Sequence, residues 1–177
     1  MRYSFPFVIV VVLVGFLLQG LSLKPDRVPS ALIDRPVPNF KISSLEDSKD
    51  ILTEKLFQGK ISLVNVWASW CSNCKAEHRF LMSIQKTLES DVQIIGLNVH
   101  DTSIKAKRWL EKLGNPYQKV IYDAKGRLAT DLGVTGTPEF FVIDKKGIIR
   151  YRQIGEMDKR DWKNKIEPLL KKLHQEE

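Results

Sequence analysis

Residues 60–89 constrain the fold more than any other stretch: "KISLVNVWA" runs directly into "SWCSNCKAEHRFLMSIQKTLE". The first part is apolar and β-branched with almost no polar break, the pattern of a buried strand. Then the spacing changes. Ala76, Phe80, Leu81, Ile84 and Leu88 recur at helical intervals, so residues 72–89 are expected to form a helix with one apolar side. "VQIIGLNV" (92–99) is a second strand. "SIKAKRWLEKLG" (103–114) is a helix, with Ser103 as N-cap and Gly114 as its stop. A short strand near 118–122 and a short helix near 126–132 follow. "EFFVID" and "IIRYRQI" flank "KKG" as a hairpin, and residues 158–174 close the chain as an amphipathic helix. The expected fold class is α/β, a sheet covered by helices on both faces.

Ahead of this pattern, residues 5–23, "FPFVIVVVLVGFLLQGLSL", are almost wholly apolar. About 20 such residues span a bilayer as a helix. A secretory signal has a shorter apolar core, about 7–15 residues, and then a small-x-small cleavage site. Gly20-Leu21-Ser22 is a poor version of that site. Residues 1–23 are therefore expected to be a retained membrane anchor, with a cleaved signal as the alternative. Flanking charges leave its orientation open, because Arg2 and the terminal amine stand against Lys24 and Arg27. Pro25, Pro29, Pro36 and Pro38 make residues 24–40 an extended spacer. One domain remains, 41–177, long enough to bury a core without disulfide staples. The net charge of +7 is spread over short runs such as "DKKG" and "LLKKLH". They read as solvated surface, and no nucleic-acid motif accompanies them.

Both cysteines of the chain, Cys71 and Cys74, lie in "WCSNC". Two are too few for a disulfide scaffold. Cys71 opens the helix, where unpaired N–H groups and the macrodipole favour an anion, so a thiolate is stabilised. Cys74 lies one turn on, placed to attack a disulfide formed at Cys71. That gives an exposed nucleophile and a more buried resolving thiol. Two other chemistries compete. A zinc site needs about four ligands. Cys71, Cys74 and His78 on one helical turn, with a distant His100, make an unusual set. A permanent structural bridge would close too small a loop to stabilise much. His78 also reads as a packing or surface histidine. Trp67 reads as core, and Trp70, beside Cys71, as part of a docking surface.

A strand, then W-C-x-x-C, then a helix resembles the thioredoxin superfamily. "GVTGTPEFFVID" (133–144) resembles the loop and strand that carry its cis-proline. The resemblance implies a cis Thr137–Pro138 bond packed against the cysteines, offering backbone groups to an incoming substrate strand. "RPVPNFKISSL", "LVNVWASWCSNCKAEH", "GLNVHD", "WLEKLGNPY", "DLGVTGTPEFFVID" and "GIIRYR" together resemble the membrane-anchored cytochrome c maturation thiol–disulfide oxidoreductases, the DsbE or CcmG family. This implies a thioredoxin-like fold: a central mixed β-sheet flanked by helices, with "GLNVHD…WLEKLGNPY" as an inserted strand–helix segment. It also implies reduction of apocytochrome c, or of a mixed disulfide with a maturation partner, before haem attachment. Electrons would come from a membrane thiol-transfer protein. The domain would face the periplasm or cell exterior from a single-pass anchor in the cytoplasmic membrane, and neither metal nor cofactor is implied. Many relatives carry proline first between the cysteines. Here the pair is Ser72-Asn73, so a redox potential does not carry over.

Acidic residues at Glu77 and Glu139 also belong to that family's pattern. Glu77 is one turn beyond Cys74, and Glu139 follows the expected cis-proline. The two carboxylates are expected to converge on the cysteines, raise the pKa of Cys74 and exchange its proton. Alternatives are a less specialised extracytoplasmic reductase and a copper or zinc chaperone using the cysteine pair.

Overall fold

The computed structural model describes residues 4–22 and 32–175. α1 (Ser4–Ser22) carries the apolar run, and its side chains at residues 8–18 are exposed. Among the described residues no helix is long and apolar enough to cross a membrane.

β1 (Lys41–Ser43) and β2 (Ile51–Thr53) form a small antiparallel hairpin, followed by a 3₁₀ turn (Glu54–Phe57). Then come β3 (Ile61–Trp67), α2 (Cys74–Ile84), β4 (Val92–Val99), α3 (Ser103–Leu113), β5 (Lys119–Asp123) and α4 (Arg127–Asp131). β6 (Glu139–Ile143) and β7 (Ile149–Ile154) make the expected hairpin. The chain closes with α5 (Lys159–Asp161), a π-helical stretch (Trp162–Ile166) and α6 (Glu167–Gln175). The main sheet has the order β5-β4-β3-β6-β7. β3 pairs parallel with β4 and antiparallel with β6, so the sheet is mixed, the thioredoxin-like arrangement that the resemblance implies.

β3 is buried along its whole length and divides the core. Ile61, Leu63 and Trp67 face a cluster with Leu81 of α2, Ala106 and Leu110 of α3, and Ile166 and Leu170 near the C-terminus. Val64 and Val66 face a second cluster with Leu128 and Ala129 of α4 and with Val37, Leu52 and Phe57. Gly96 on β4 permits the first packing. A Cβ there would lie 2.9 Å from Trp67 Nε1 and 3.1 Å from the Tyr117 ring.

Several local expectations shift. Pro25 and Pro29 of the expected spacer lie outside the described residues, while residues 32–40 dock on the domain. Val37 is buried, Asp34 N–H donates to Ile149 O at 2.8 Å, and Asp34 pairs with Arg150 at 2.7 Å. Proline excludes helix yet allows extended chain against a strand end, so the packing reaches back to residue 32, ahead of the expected boundary at 41. α2 ends at Ile84, before the expected 89. Ser83 and Thr87 hydroxyls donate to Phe80 O and Ile84 O at 2.6 and 2.8 Å; such local bonds compete with continued helix. At the start of α3, Thr102 takes the N-cap position expected for Ser103, whose N–H is held by Tyr122 Oη at 2.9 Å. The C-terminal helix opens into a π turn just before Pro168, which has no N–H for Asn164 O and whose ring crowds that carbonyl.

Candidate active site

β3 ends at Trp67, and the chain turns at once: Cys71 N–H donates to Ala68 O at 3.2 Å. α2 begins three residues later at Cys74. Cys71 and Cys74 form a disulfide with an S–S distance of 2.05 Å. Cys74 N–H donates to Cys71 Sγ at 3.1 Å, so a free helix N-terminal donor points at the first sulfur. The same donor favours a thiolate there once the bond is reduced. Cys71 is 7% exposed and Cys74 2%, so an incoming thiol or disulfide reaches Cys71 first.

The surroundings come from distant sequence. Trp70 is 61% exposed, with its Nε1–H donating to His100 O at 2.9 Å. The Thr137–Pro138 bond is cis. Trp70, His100, Ala129, Thr135 and Thr137 help to line a cleft of about 120 Å³ beside the redox turn. Asp101 ties that turn to the end of β4 by accepting from Ser69 N–H at 2.6 Å and Ser69 Oγ at 2.8 Å.

Glu77 is fully buried on the helix that starts at Cys74. Asn65 Nδ2 donates to its Oε2 at 2.6 Å and Met157 N–H to its Oε1 at 2.9 Å. Tyr117 Oη donates in turn to Asn65 Oδ1 at 2.7 Å. Burial pushes the Glu77 carboxyl from 4.5 up to about 8, and the nearby Glu156 charge adds to the rise; the two hydrogen bonds oppose it and lose. Burial, with Glu77 beside it, also holds Tyr117 well above its ordinary value.

Glu139 is equally buried but lies elsewhere. Its Oε1 accepts from Thr135 N–H, Thr135 Oγ1 and Gly136 N–H at 2.6, 2.8 and 3.2 Å. Its Oε2 accepts from Arg152 Nε at 2.9 Å. Alternation along β6 puts Phe140 with the cysteine-side cluster and Phe141 with the opposite one. Glu139 therefore shares the Phe141 face, across the sheet from Cys71, Cys74 and Glu77. The expected convergence of the two carboxylates does not occur. Strand pleating separates them, and Glu139 instead braces the loop that leads to Thr137–Pro138.

His78 is buried: its Nε2–H donates to Gly114 O at 3.0 Å and its ring meets Trp109 edge-on at 4.2 Å. Burial lowers its pKa. His100 is exposed across the cleft. The two histidines considered as partners of the cysteines thus face different surroundings. Asn65, Asp101, Tyr117 and Arg152 escaped the sequence reading. The available signals were a polar residue inside an apolar strand, at Asn65, and the quoted "GLNVHD", "WLEKLGNPY" and "GIIRYR" segments that hold Asp101, Tyr117 and Arg152.

The Redoxin family pattern matches residues 33–170. The thiol:disulfide interchange protein DsbE of Tatumella citrea is 46% identical over 149 residues, covering 84% of this chain and 79% of that protein. DsbE of Pseudomonas aeruginosa is 42% identical over 168 residues, covering 95% and 92%. DsbE of Escherichia coli K12 is 43% identical over 157 residues, covering 86% and 81%. Among solved structures, a putative DsbE from Chlorobium tepidum superposes with a TM-score of 0.67 at 21% identity, over 78% of this chain and 95% of that one. A DsbF homologue from Corynebacterium diphtheriae gives 0.69 at 23% identity, over 83% and 94%. At those identities the two structures speak to the fold alone.

Proposed function

We propose that this chain, which belongs to the DsbE family of thiol:disulfide interchange proteins, reduces cysteines of apocytochrome c, or their mixed disulfide with a maturation partner, before haem is attached. It is a thiol:disulfide oxidoreductase with a redox-active Cys71–Cys74 pair. The observation that carries the reading is the order of the sulfurs. The more accessible Cys71 receives the Cys74 N–H bond at a helix start, and Cys74 lies behind it.

In the reduced protein, the Cys71 thiolate attacks one sulfur of the client disulfide. A Cys71–client bond forms and the other client sulfur leaves as a thiolate. Cys74 then gives up its proton and attacks Cys71 Sγ. The Cys71–Cys74 bond closes and the second client thiol departs. Two electrons pass from the pair to the client. Glu77, one turn beyond Cys74, is the acid–base partner in this reading: burial raises its carboxyl pKa to about 8, and in its ionised form it takes the proton that Cys74 gives up. Trp70, Thr137 and Pro138 form the client-facing rim. A membrane thiol-transfer protein returns the pair to the dithiol.

The apolar run at residues 5–23 supports a single-pass anchor in the cytoplasmic membrane with the domain in the periplasm, where cysteine pairs are readily oxidised and a dedicated reductant has a purpose. Cys74→Ser in the full-length chain tests the client. Mixed disulfides through Cys71 with apocytochrome c or a maturation protein are expected. Trapping only unrelated proteins would make this a general reductase. Deleting residues 1–23 should release the domain from membranes; retention there would refute the anchor.

A further inference from the structure

The turn that delivers Cys71 is held from outside its own strand and helix. Asp101, buried at the entrance to α3, accepts from Ser69 N–H at 2.6 Å and Ser69 Oγ at 2.8 Å. It accepts also from Asn98 Nδ2 at 3.2 Å and Thr102 N–H at 2.8 Å. All four partners are neutral donors, so the bonds suit an ionised carboxylate without cancelling its charge. Ser69 lies inside the turn that Cys71 N–H closes onto Ala68 O at 3.2 Å. Trp70, the next residue, is fixed to His100 O, and His100 sits at φ 49°, a left-handed conformation uncommon outside glycine. Two separate stretches, 68–71 and 98–102, are thus joined at the nucleophile through Asp101 and the His100 carbonyl.

We propose that Asp101 is a positioning residue that biases the Cys71–Cys74 pair toward its disulfide and so makes the protein a stronger reductant. Its bonds to Ser69 hold its charge beside that turn, and that charge disfavours the Cys71 thiolate and hence the reduced form. The Cys74 N–H and the helix start pull the other way. Asp101 restrains the thiolate stabilisation that they would otherwise give. The inference rests on Cys71–Cys74 being a reversible couple and not on the identity of the client.

The test is equilibration of the full-length chain with glutathione at pH 8. Two glutathione thiols reduce the disulfide to the Cys71 and Cys74 thiols and leave as one oxidised glutathione. Asp101→Asn should move the equilibrium at least about threefold toward the reduced protein, a rise in potential of about 14 mV at 29.6 mV per tenfold. Ser69→Ala removes one bond and keeps the charge, so it should stay near wild type while lowering thermal stability. An Asp101→Asn equilibrium matching wild type would overturn the proposal. A Ser69→Ala shift as large as that of Asp101→Asn would overturn it equally, by making the effect one of loop geometry. If Asp101→Asn does not melt cooperatively, Asp101→Ser takes its place under the same criterion. A wild-type disulfide that glutathione cannot reduce reversibly would instead refute the couple itself.

Discussion

Replacing Glu77 by glutamine removes one titratable proton and little volume, and that proton sets a measurable pH dependence of stability. In the folded protein burial raises the Glu77 pKa to about 8, against 4.5 for the ordinary carboxyl. Below about pH 4.5 both folded and unfolded chains hold the proton, and the stability of the neutral form is fully present. Between the two values the unfolded chain releases it and the folded chain keeps it. Stability therefore falls as pH rises, by about 1.4 kcal/mol per unit for one proton. From pH 5 to pH 7.5 the accumulated loss is about 3 kcal/mol. Above about pH 8 the folded carboxyl ionises as well, and the loss levels off. Glu77→Gln has no such proton, so its stability curve should lack this slope.

Glutamine also sets an N–H donor opposite Asn65 Nδ2 or Met157 N–H, which adds a constant cost. A constant cancels when slopes are compared. His78, pushed down by its own burial, titrates alike in both proteins and cancels too. Urea denaturation of the oxidised forms between pH 5 and 7.5, followed by the fluorescence of the four tryptophans, measures the difference. The gap between variant and wild type should shift in the variant's favour by about 1 kcal/mol or more per unit. Parallel curves would show that Glu77 is ionised in the folded protein at neutral pH and would remove it as an acid–base partner.

Arg152→Ala leaves the Glu139 carboxylate buried without its cation and should cost about 3–5 kcal/mol in urea denaturation; a loss under 1 kcal/mol would mean that the loop donors at Thr135 and Gly136 suffice. Gly96→Ala drives a methyl against Trp67 and Tyr117 and should destabilise by about 1–3 kcal/mol with altered tryptophan emission; an unchanged melting curve would contradict that packing. In the reduced protein iodoacetamide should label Cys71 before Cys74, as peptide mapping can establish, because Cys71 is the more exposed of the two; the reverse order would exchange nucleophile and resolving thiol.

The elements legible in the sequence were those with a local pattern. β3 and β4 announce themselves as apolar runs, β6 and β7 as strands about a glycine turn, and α3 by its spacing and Gly114. The β1–β2 hairpin was not legible because each strand is three residues long, too short for a period of two to show. Redox chemistry was legible in Cys71 and Cys74 because strand, spacing and helix lie within one stretch. The electrostatic setting was not. Tyr117 and Asn65 are 52 residues apart and Asp101 and Ser69 are 32 apart, and no periodicity relates such positions. The side of the sheet taken by Glu139, that of Phe141 two residues on, was not legible, because nothing local says which face of β6 meets the cysteines. The side taken by α2 depended on the route of the chain after Trp67.

Which acid sits on which side decides how each can act on the cysteines. Glu139 is turned to the far face, and its oxygens are occupied by Arg152 and the 135–136 backbone. It braces the loop that leads to Thr137–Pro138. Glu77 shares the cysteine face and is kept neutral by burial over most of the working pH range. It therefore adds little charge against a thiolate below about pH 8, but it holds a proton one turn from Cys74. Asp101 accepts four hydrogen bonds beside the turn of Cys71. The two roles separate: Asp101 acts on the equilibrium of the pair, whereas proton uptake by Glu77 needs its ionised form and grows as the pH approaches about 8. A reduction rate that rises toward that pH in wild type, keeps the same rise in Asp101→Asn and loses part of it in Glu77→Gln would display the two acids acting independently; a rise unchanged in Glu77→Gln would refute the role of Glu77.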